Sequence, residues 1–286
     1  MKKTKKTAYQ IITDQVVELM EKHGSDWTRP WVSKGGVPTS ISTGNPYQGV
    51  NRLVLYLSGY SDHRWGTYNA WKAAGGQVRK GESCTYVLLF KTFDKKNDKG
   101  ETETHRFARA FPVFNAQQVE GAAELPAVEL SEVEVHAAAE RFIANTGAVI
   151  RHEGNQAFYS PVTDRITLPP RDQFLGVAEY YGTALHELTH WTGEKSRLDR
   201  LPTGVHFGEA EYAREELIAE LGSTFLCSDL GVEVTPRADH AQYLASWLKA
   251  LKEDSREIVR ASKAAEEACK YLHELADAGR VLGVAA

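Results

Sequence analysis

His186-Glu187-Leu188-Thr189-His190 is the stretch on which the fold of this 286-residue chain turns. On a helix, residues four apart project from one face, one turn apart. His186 and His190 so placed can offer two imidazole nitrogens to one Zn²⁺ ion, and Glu187 beside them can take a proton from water. A five-residue pattern also arises by chance, so its surroundings decide. Phe174, Val177, Ala178, Tyr181, Leu185 and Leu188 recur at helical spacing around it, with Asp172 as the expected N-cap and Gly193 as the stop. Upstream, residues 148–152 and 157–168 have strand composition, the second run ending at Pro169-Pro170.

A catalytic zinc needs a third protein ligand and an open fourth position. His206 lies in a glycine-containing loop and His240 beside a proline-containing segment, so neither fits well. The run Arg214-Glu215-Glu216-Leu217-Ile218-Ala219-Glu220-Leu221 fits better, because Glu216 and Glu220 share a helix face with an apolar flank. One would ligate the metal; the other would accept a hydrogen bond from the far nitrogen of a ligating imidazole. The spacing resembles the third-ligand helix of several zincin peptidases, in which the first acid ligates. Glu216 is therefore the expected ligand and Glu220 the alternative or outer partner. In zincins the strand before the active-site helix forms an edge that aligns an extended substrate, and 157–168 is expected to do the same. Zn²⁺ is the expected ion, with another divalent metal as the alternative.

Working outward, residues 132–146 read as a helix ended by Gly147, 209–230 as another, and 238–278 as helical packing segments. In the first half, 8–23 is an amphipathic helix with Ile12, Val16, Leu19 and Met20 on one face. Thr67 caps a short helix through Ala74, and 85–93 with 106–114 read as a long hairpin. Residues 121–130 have the composition of a linker. The expected architecture is α+β in two domains: a small α+β domain over 1–120, and a mainly helical metallopeptidase domain over 131–286.

Charge divides at the same place. Residues 1–120 hold 18 Lys and Arg against 11 Asp and Glu, a net of +7, while the remaining 166 hold 16 against 27, a net of −11. The basic half is thus the candidate for a polyanion. Cys84, Cys227 and Cys269 are odd in number and far apart, which excludes a disulfide framework and fits the cytoplasm. No apolar run approaches the ~20 residues that span a bilayer, so no membrane partner is expected.

The basic half interleaves rings with cations: Trp27, Arg29, Trp31, Tyr47, Arg52, Trp65, Tyr68, Trp71, Lys72, Arg79, Lys80, Lys91, Arg106 and Arg109. Single strands are bound by that combination, since rings stack on unpaired bases and cations follow the phosphates. The same rings could equally form the core of a small domain. Sequence-specific duplex readers usually show a recognition helix or zinc finger, and neither is visible here.

Several stretches resemble the ArdC-type antirestriction proteins of conjugative plasmids: Trp27-Thr28-Arg29-Pro30-Trp31, Tyr47-Gln48-Gly49-Val50-Asn51, Trp65-Gly66-Thr67-Tyr68 and Val78-Arg79-Lys80-Gly81-Glu82. In the second half the matching pieces are Tyr159-Ser160-Pro161, Asp164-Arg165-Ile166, residues 186–193, Arg197-Leu198 and residues 215–221. The resemblance covers nearly all of the chain. It implies an N-terminal single-stranded-DNA-binding domain shared with TraC-type primases, to which Asn51 also belongs, and a zincin-like metallopeptidase domain. It further implies protection of incoming plasmid DNA from restriction during conjugation. The alternatives are a metallopeptidase that cleaves a regulatory or restriction-related protein, and a DNA-binding protein whose metal site is vestigial. The protein substrate is not readable from the sequence.

Overall fold

A computed structural model describes residues 6–23, 36–96, 102–123, 132–201, 209–233 and 240–281. The chain begins with α1 (Ala8–His23), then β1 (Thr39–Ser40), α2 (Gly49–Leu57), β2 (Arg64–Gly66), α3 (Tyr68–Ala73) and β3 (Gln77–Val78). The hairpin β4 (Thr85–Lys96) and β5 (Thr102–Asn115) follows, and β6 (Val119–Glu120) closes the first half. The second half runs α4 (Glu132–Asn145), β7 (Ile150–His152), β8 (Phe158–Ser160), β9 (Arg165–Leu168), α5 (Val177–Trp191), α6 (Glu209–Leu230), α7 (His240–Glu253) and α8 (Glu257–Val281).

Periodicity and caps account for most of these elements. In α1 the expected stripe is buried at Ile12, Val16 and Met20. Thr67 caps α3 by accepting from the Ala70 amide. The hairpin forms as expected and is the long limb of a sheet ordered β1-β2-β5-β4. Its exposed edge is blunted at the root. The Gln15 side chain bonds both backbone groups of Tyr86, and the Asn51 amide does the same at Leu88, at 2.6 and 2.7 Å.

Four expectations are corrected. Residues 157–168 form two antiparallel strands, β8 and β9, turned at Asp164 in a left-handed conformation (φ 45°). The strand ending at Pro169-Pro170, β9, is central between β7 and β8, so β8 and β7 are the edges available to an extended chain. The helix bearing His186 starts after Gly176, with Glu179 accepting from the Leu175 amide, while Asp172 sits in a separate 3₁₀ turn. The C-terminal helical segment is broken at Asp254, whose side chain accepts from the Arg256 amide and pairs with Arg260. One helix, α2, has no counterpart among the expected elements. It is nine residues long and has no side-chain cap at Gln48, so a start signal is missing, and Val50 and residues 52–57 are all buried.

One apolar core draws on both halves of the chain, from Ile12 and Leu53 to Phe225 and Leu272. A smaller cluster holds Trp71, Val78, Ala116 and Val119. Within the main core α2 meets α6 and α8. Arg52 is buried there, donating to Asp229 at 2.6 Å and to the Phe225 carbonyl at 2.7 Å, while its guanidinium lies 4.6 Å from the Phe225 ring. Gly49, at φ +54°, starts α2 with its amide held by Glu266 at 3.0 Å.

The contact that sets the site is α5 against α6. Ser223 donates to the Gly182 carbonyl at 2.8 Å, and a Cβ at Gly222 would stand 2.5 Å from Thr189 Cγ2, so glycine alone allows this approach. Gly222→Ala should cost about 1–3 kcal/mol, the range for overpacking a filled interior. Denaturant unfolding measures this, and a variant as stable as the parent would contradict the close contact.

Candidate metal centre

His186 and His190 lie on the face of α5 that meets α6, and both are largely buried. Their Nε2 atoms are 3.1 Å apart. The Glu216 carboxylate straddles them, with Oε1 3.4 Å from His190 Nε2 and Oε2 3.6 Å from His186 Nε2. Ligand atoms about 2.0–2.1 Å from a tetrahedral Zn²⁺ stand about 3.3 Å from each other. Each imidazole has a different Glu216 oxygen near that separation, and with one ligand atom taken from each residue all three lie within 4.8 Å of one another, so these residues fit a divalent ion with a small adjustment. They are also the group of potential ligands that converges among the described residues.

Around this triangle the acids of α6 climb in the opposite direction to the histidines of α5. Glu220 Oε2 lies 3.7 Å from His186 Nδ1, a buried nitrogen with no hydrogen-bond partner among the described residues. Glu215, which has no distinguishing mark in the sequence, accepts from His190 Nδ1 at 3.2 Å. Arg200 in turn grips both oxygens of Glu215 at 2.9 Å and donates to the Thr189 carbonyl at 2.8 Å. Glu187 is 3 % exposed and close enough for its charge to act on His190.

Electrostatics follow from this crowd of carboxylates. Burial alone would drive His190 towards its neutral form. Hydrogen bonds to Glu215 and Glu216, with the charges of Glu187 and Glu215, outweigh burial and raise its pKa to about 10. Burial opposes ionisation of Glu216 too, yet the two imidazoles hold it far below the ordinary carboxylate range. Glu215 is likewise lowered, its burial overcome by His190 and Arg200. A site that holds a proton this tightly on an imidazole is one built for positive charge.

Beside the centre, Arg197 ties the β8–β9 hairpin to the end of α5. It donates to the Trp191 carbonyl at 2.6 Å, Tyr159 at 3.0 Å and Asp164, and stacks 4.0 Å from the Trp191 ring. Residues 159–165 and 197–198, well separated in sequence, thereby meet.

The expected DNA-binding residues divide. Trp65 and Trp71 are buried, Arg52 is spent within the core, and Asn51 is spent on the Leu88 backbone. Trp65, Trp71 and Arg52 are interior residues and Asn51 is half-buried; the two tryptophans are claimed by apolar packing, which uses the same rings as stacking would. Tyr47 is half-buried, while Tyr68, Lys72, Arg79, Lys80, Lys91 and Arg109 are exposed, Arg79 being paired with Glu82 at 2.7 Å. Trp27, Arg29 and Trp31, and the Arg106 side chain, lie outside the described residues.

Both halves of the chain are similar to known proteins. The model for the N-terminal domain of anti-restriction factor ArdC matches residues 6–119, and that for a zincin-like metallopeptidase matches 137–264. The protein y4eC of Sinorhizobium fredii is 39% identical over 280 residues, covering 93% of this chain and 91% of the relative. DNA primase TraC of Escherichia coli is 39% identical over 292 residues, and there the match takes in 93% of this chain but 27% of the primase. Antirestriction protein ArdC of plasmid R388 is 38% identical. Its metal-free crystal structure superposes with a TM-score of 0.80, covering 94% of this chain and 98% of that one. Its Mn(II)-bound structure gives 0.76, with 94% and 97% covered.

In chelator-treated protein, His190 should stay protonated to about pH 10. Its folded pKa lies above the ~6.5 of an unfolded imidazole. The stabilisation is therefore complete below about pH 6.5 and is lost as pH rises through about 10. Imidazole NMR signals followed against pH report this directly; titration of His190 near 6.5 would contradict it.

Proposed function

The chain belongs to the ArdC family of antirestriction proteins, and from that premise we propose that it binds single-stranded DNA while holding one divalent ion on His186, His190 and Glu216. Residues 1–120 are the DNA-binding half and 131–286 the metallopeptidase half, joined through 121–130. The protein works in the cytoplasm, on DNA that enters as a single strand; no helix among the described residues is long and apolar enough to cross a membrane. The observation that carries the metal assignment is the buried triangle of two Nε2 atoms and one carboxylate.

Zn²⁺ is the ion proposed. Two imidazoles and a carboxylate suit it, and at such sites it binds ahead of Mn²⁺ in the usual order of affinities, although the R388 relative is described with Mn(II). When bound, the ion supplies Lewis acidity to a peptide carbonyl and to the attacking water. The chain's own groups do the rest. Glu187 would take a proton from water, Glu215 accepts from His190 Nδ1 and so leaves Nε2 to hold the ion, and Arg200 holds Glu215 in place. Glu220 faces the far nitrogen of His186 and is the outer partner there.

Metal analysis of purified protein should give one Zn²⁺ per chain, lost in His186→Ala and in Glu216→Ala. Glu220→Ala losing the ion while Glu216→Ala keeps it would reverse the ligand choice. Glu187→Ala should keep metal and single-strand binding. Hydrolysis of a peptide substrate should fall at least ~10²-fold, the lower end for loss of general acid–base catalysis. Protection of transferred plasmid should survive in Glu187→Ala, because occupancy of the DNA supplies it; lost protection would assign antirestriction to peptidase action.

A further inference from the structure

With Trp65 and Trp71 committed to the interior, a stacking surface must be sought among the rings left outside. Tyr68 on α3 is one, and the β4–β5 hairpin carries two more, Phe90 and Phe107, on opposite faces; the face of Phe107 also bears cations. The hairpin register sets Val87 opposite Phe111, Leu89 opposite Arg109, and Lys91 opposite Phe107. Alternate residues of a strand share a face, so these six side chains lie together on one side of the hairpin. Leu89 and Phe107 are each 41 % exposed, and Lys91 and Arg109 are exposed beside them. Apolar and basic groups therefore alternate diagonally across the two strands. The Arg109 guanidinium lies 5.0 Å from the Phe111 ring, which extends the pattern towards the core. Among the described side chains of this face none is acidic.

Leu89 and Phe107 thus keep apolar surface that a partner would cover. The cations choose the partner. A polynucleotide brings both flat apolar bases and a phosphate for each cation, which matches apolar and basic groups set side by side on Leu89, Lys91, Phe107 and Arg109. We propose that single-stranded DNA lies along this face, its bases against Phe107 and Leu89 and its phosphates beside Lys91 and Arg109. This surface rests on the reading that the N-terminal half binds single strands, and gives that reading a location.

Fluorescence anisotropy of the full chain with a labelled 20-nucleotide oligo(dT), repeated across salt concentrations, tests it. Phe107→Ala should weaken binding about 5- to 150-fold, the range for removing one stacking ring. Lys91→Ala with Arg109→Ala should flatten the slope of log affinity against log salt by about 1.4, at ~0.7 for each phosphate that is no longer neutralised. Lys263→Ala with Lys270→Ala, two exposed lysines on α8 paired within their own helix, removes the same charge elsewhere and should leave the slope near that of the parent. Circular dichroism checks that each variant is folded, and the Lys91/Arg109 pair carries the test should Phe107→Ala not fold. A parent chain that fails to bind oligo(dT) overturns the DNA-binding proposal itself. A parent that binds, with hairpin variants indistinguishable from it, overturns this surface alone. Hairpin variants that change the sedimentation of the protein but not its DNA binding would assign the face to self-association instead, and overturn the inference.

Discussion

Carboxylates taken out of water cost several kcal/mol each unless a cation meets them, and four of them, from Glu187, Glu215, Glu216 and Glu220, are buried where α5 meets α6. Arg200 answers Glu215. Glu216 and Glu220 face His186 and His190, and a proton or a metal ion held by that pair offsets their charge. The packing of the two helices and the chemistry of the site are thus one problem. Gly222 lets the helices approach, Leu217, Ile218 and Leu221 seal α6 against the core, and the acids between them are left with no solvent to turn to.

The first half of the chain is tied to the same helix. Asn51 fixes the root of the hairpin at Leu88, and the next residue, Arg52, reaches Asp229 and the Phe225 carbonyl near the end of α6. Because α2 is buried on all sides, it works as a strut between the hairpin and the helix that carries Glu216. The buried Arg52–Asp229 pair is tolerated because Tyr56, Phe225 and Glu266 also face the guanidinium. Such a pair fixes one arrangement of the halves more than it adds stability.

How much of this was legible in the sequence depends on whether the constraint is local. The pairing of His186 with His190 follows from helical spacing, the choice of Glu216 over Glu220 from the resemblance to the third-ligand helix of zincins, and the structure brings His186, His190 and Glu216 together. The bounds of α1 follow from periodicity in the same way, while α6 matches the expected 209–230 although its apolar residues do not gather on one helical face. Glu215 does not stand out because an acid next to another acid looks like part of a solvated stripe, and only the fold brings Arg200 back to it. The strut α2 hides because it is short and starts at Gly49 without a side-chain cap, so the usual start signal is missing. Trp65, Trp71 and Arg52 mislead because a core and a stacking surface draw on the same side chains. Only exposure separates Phe107 and Lys91 from them.

His186, His190 and Glu216, packed this closely, would hold one divalent ion between α5 and α6. A crystal of Zn²⁺-loaded protein, with anomalous scattering recorded at the zinc edge, tests this most directly. The account predicts a single strong peak about 2.0–2.2 Å from His186 Nε2, His190 Nε2 and a Glu216 oxygen, with Glu215 still hydrogen-bonded to His190 Nδ1. A peak coordinated by Glu220 or Glu215 in place of Glu216, or no peak between the two helices, would contradict it.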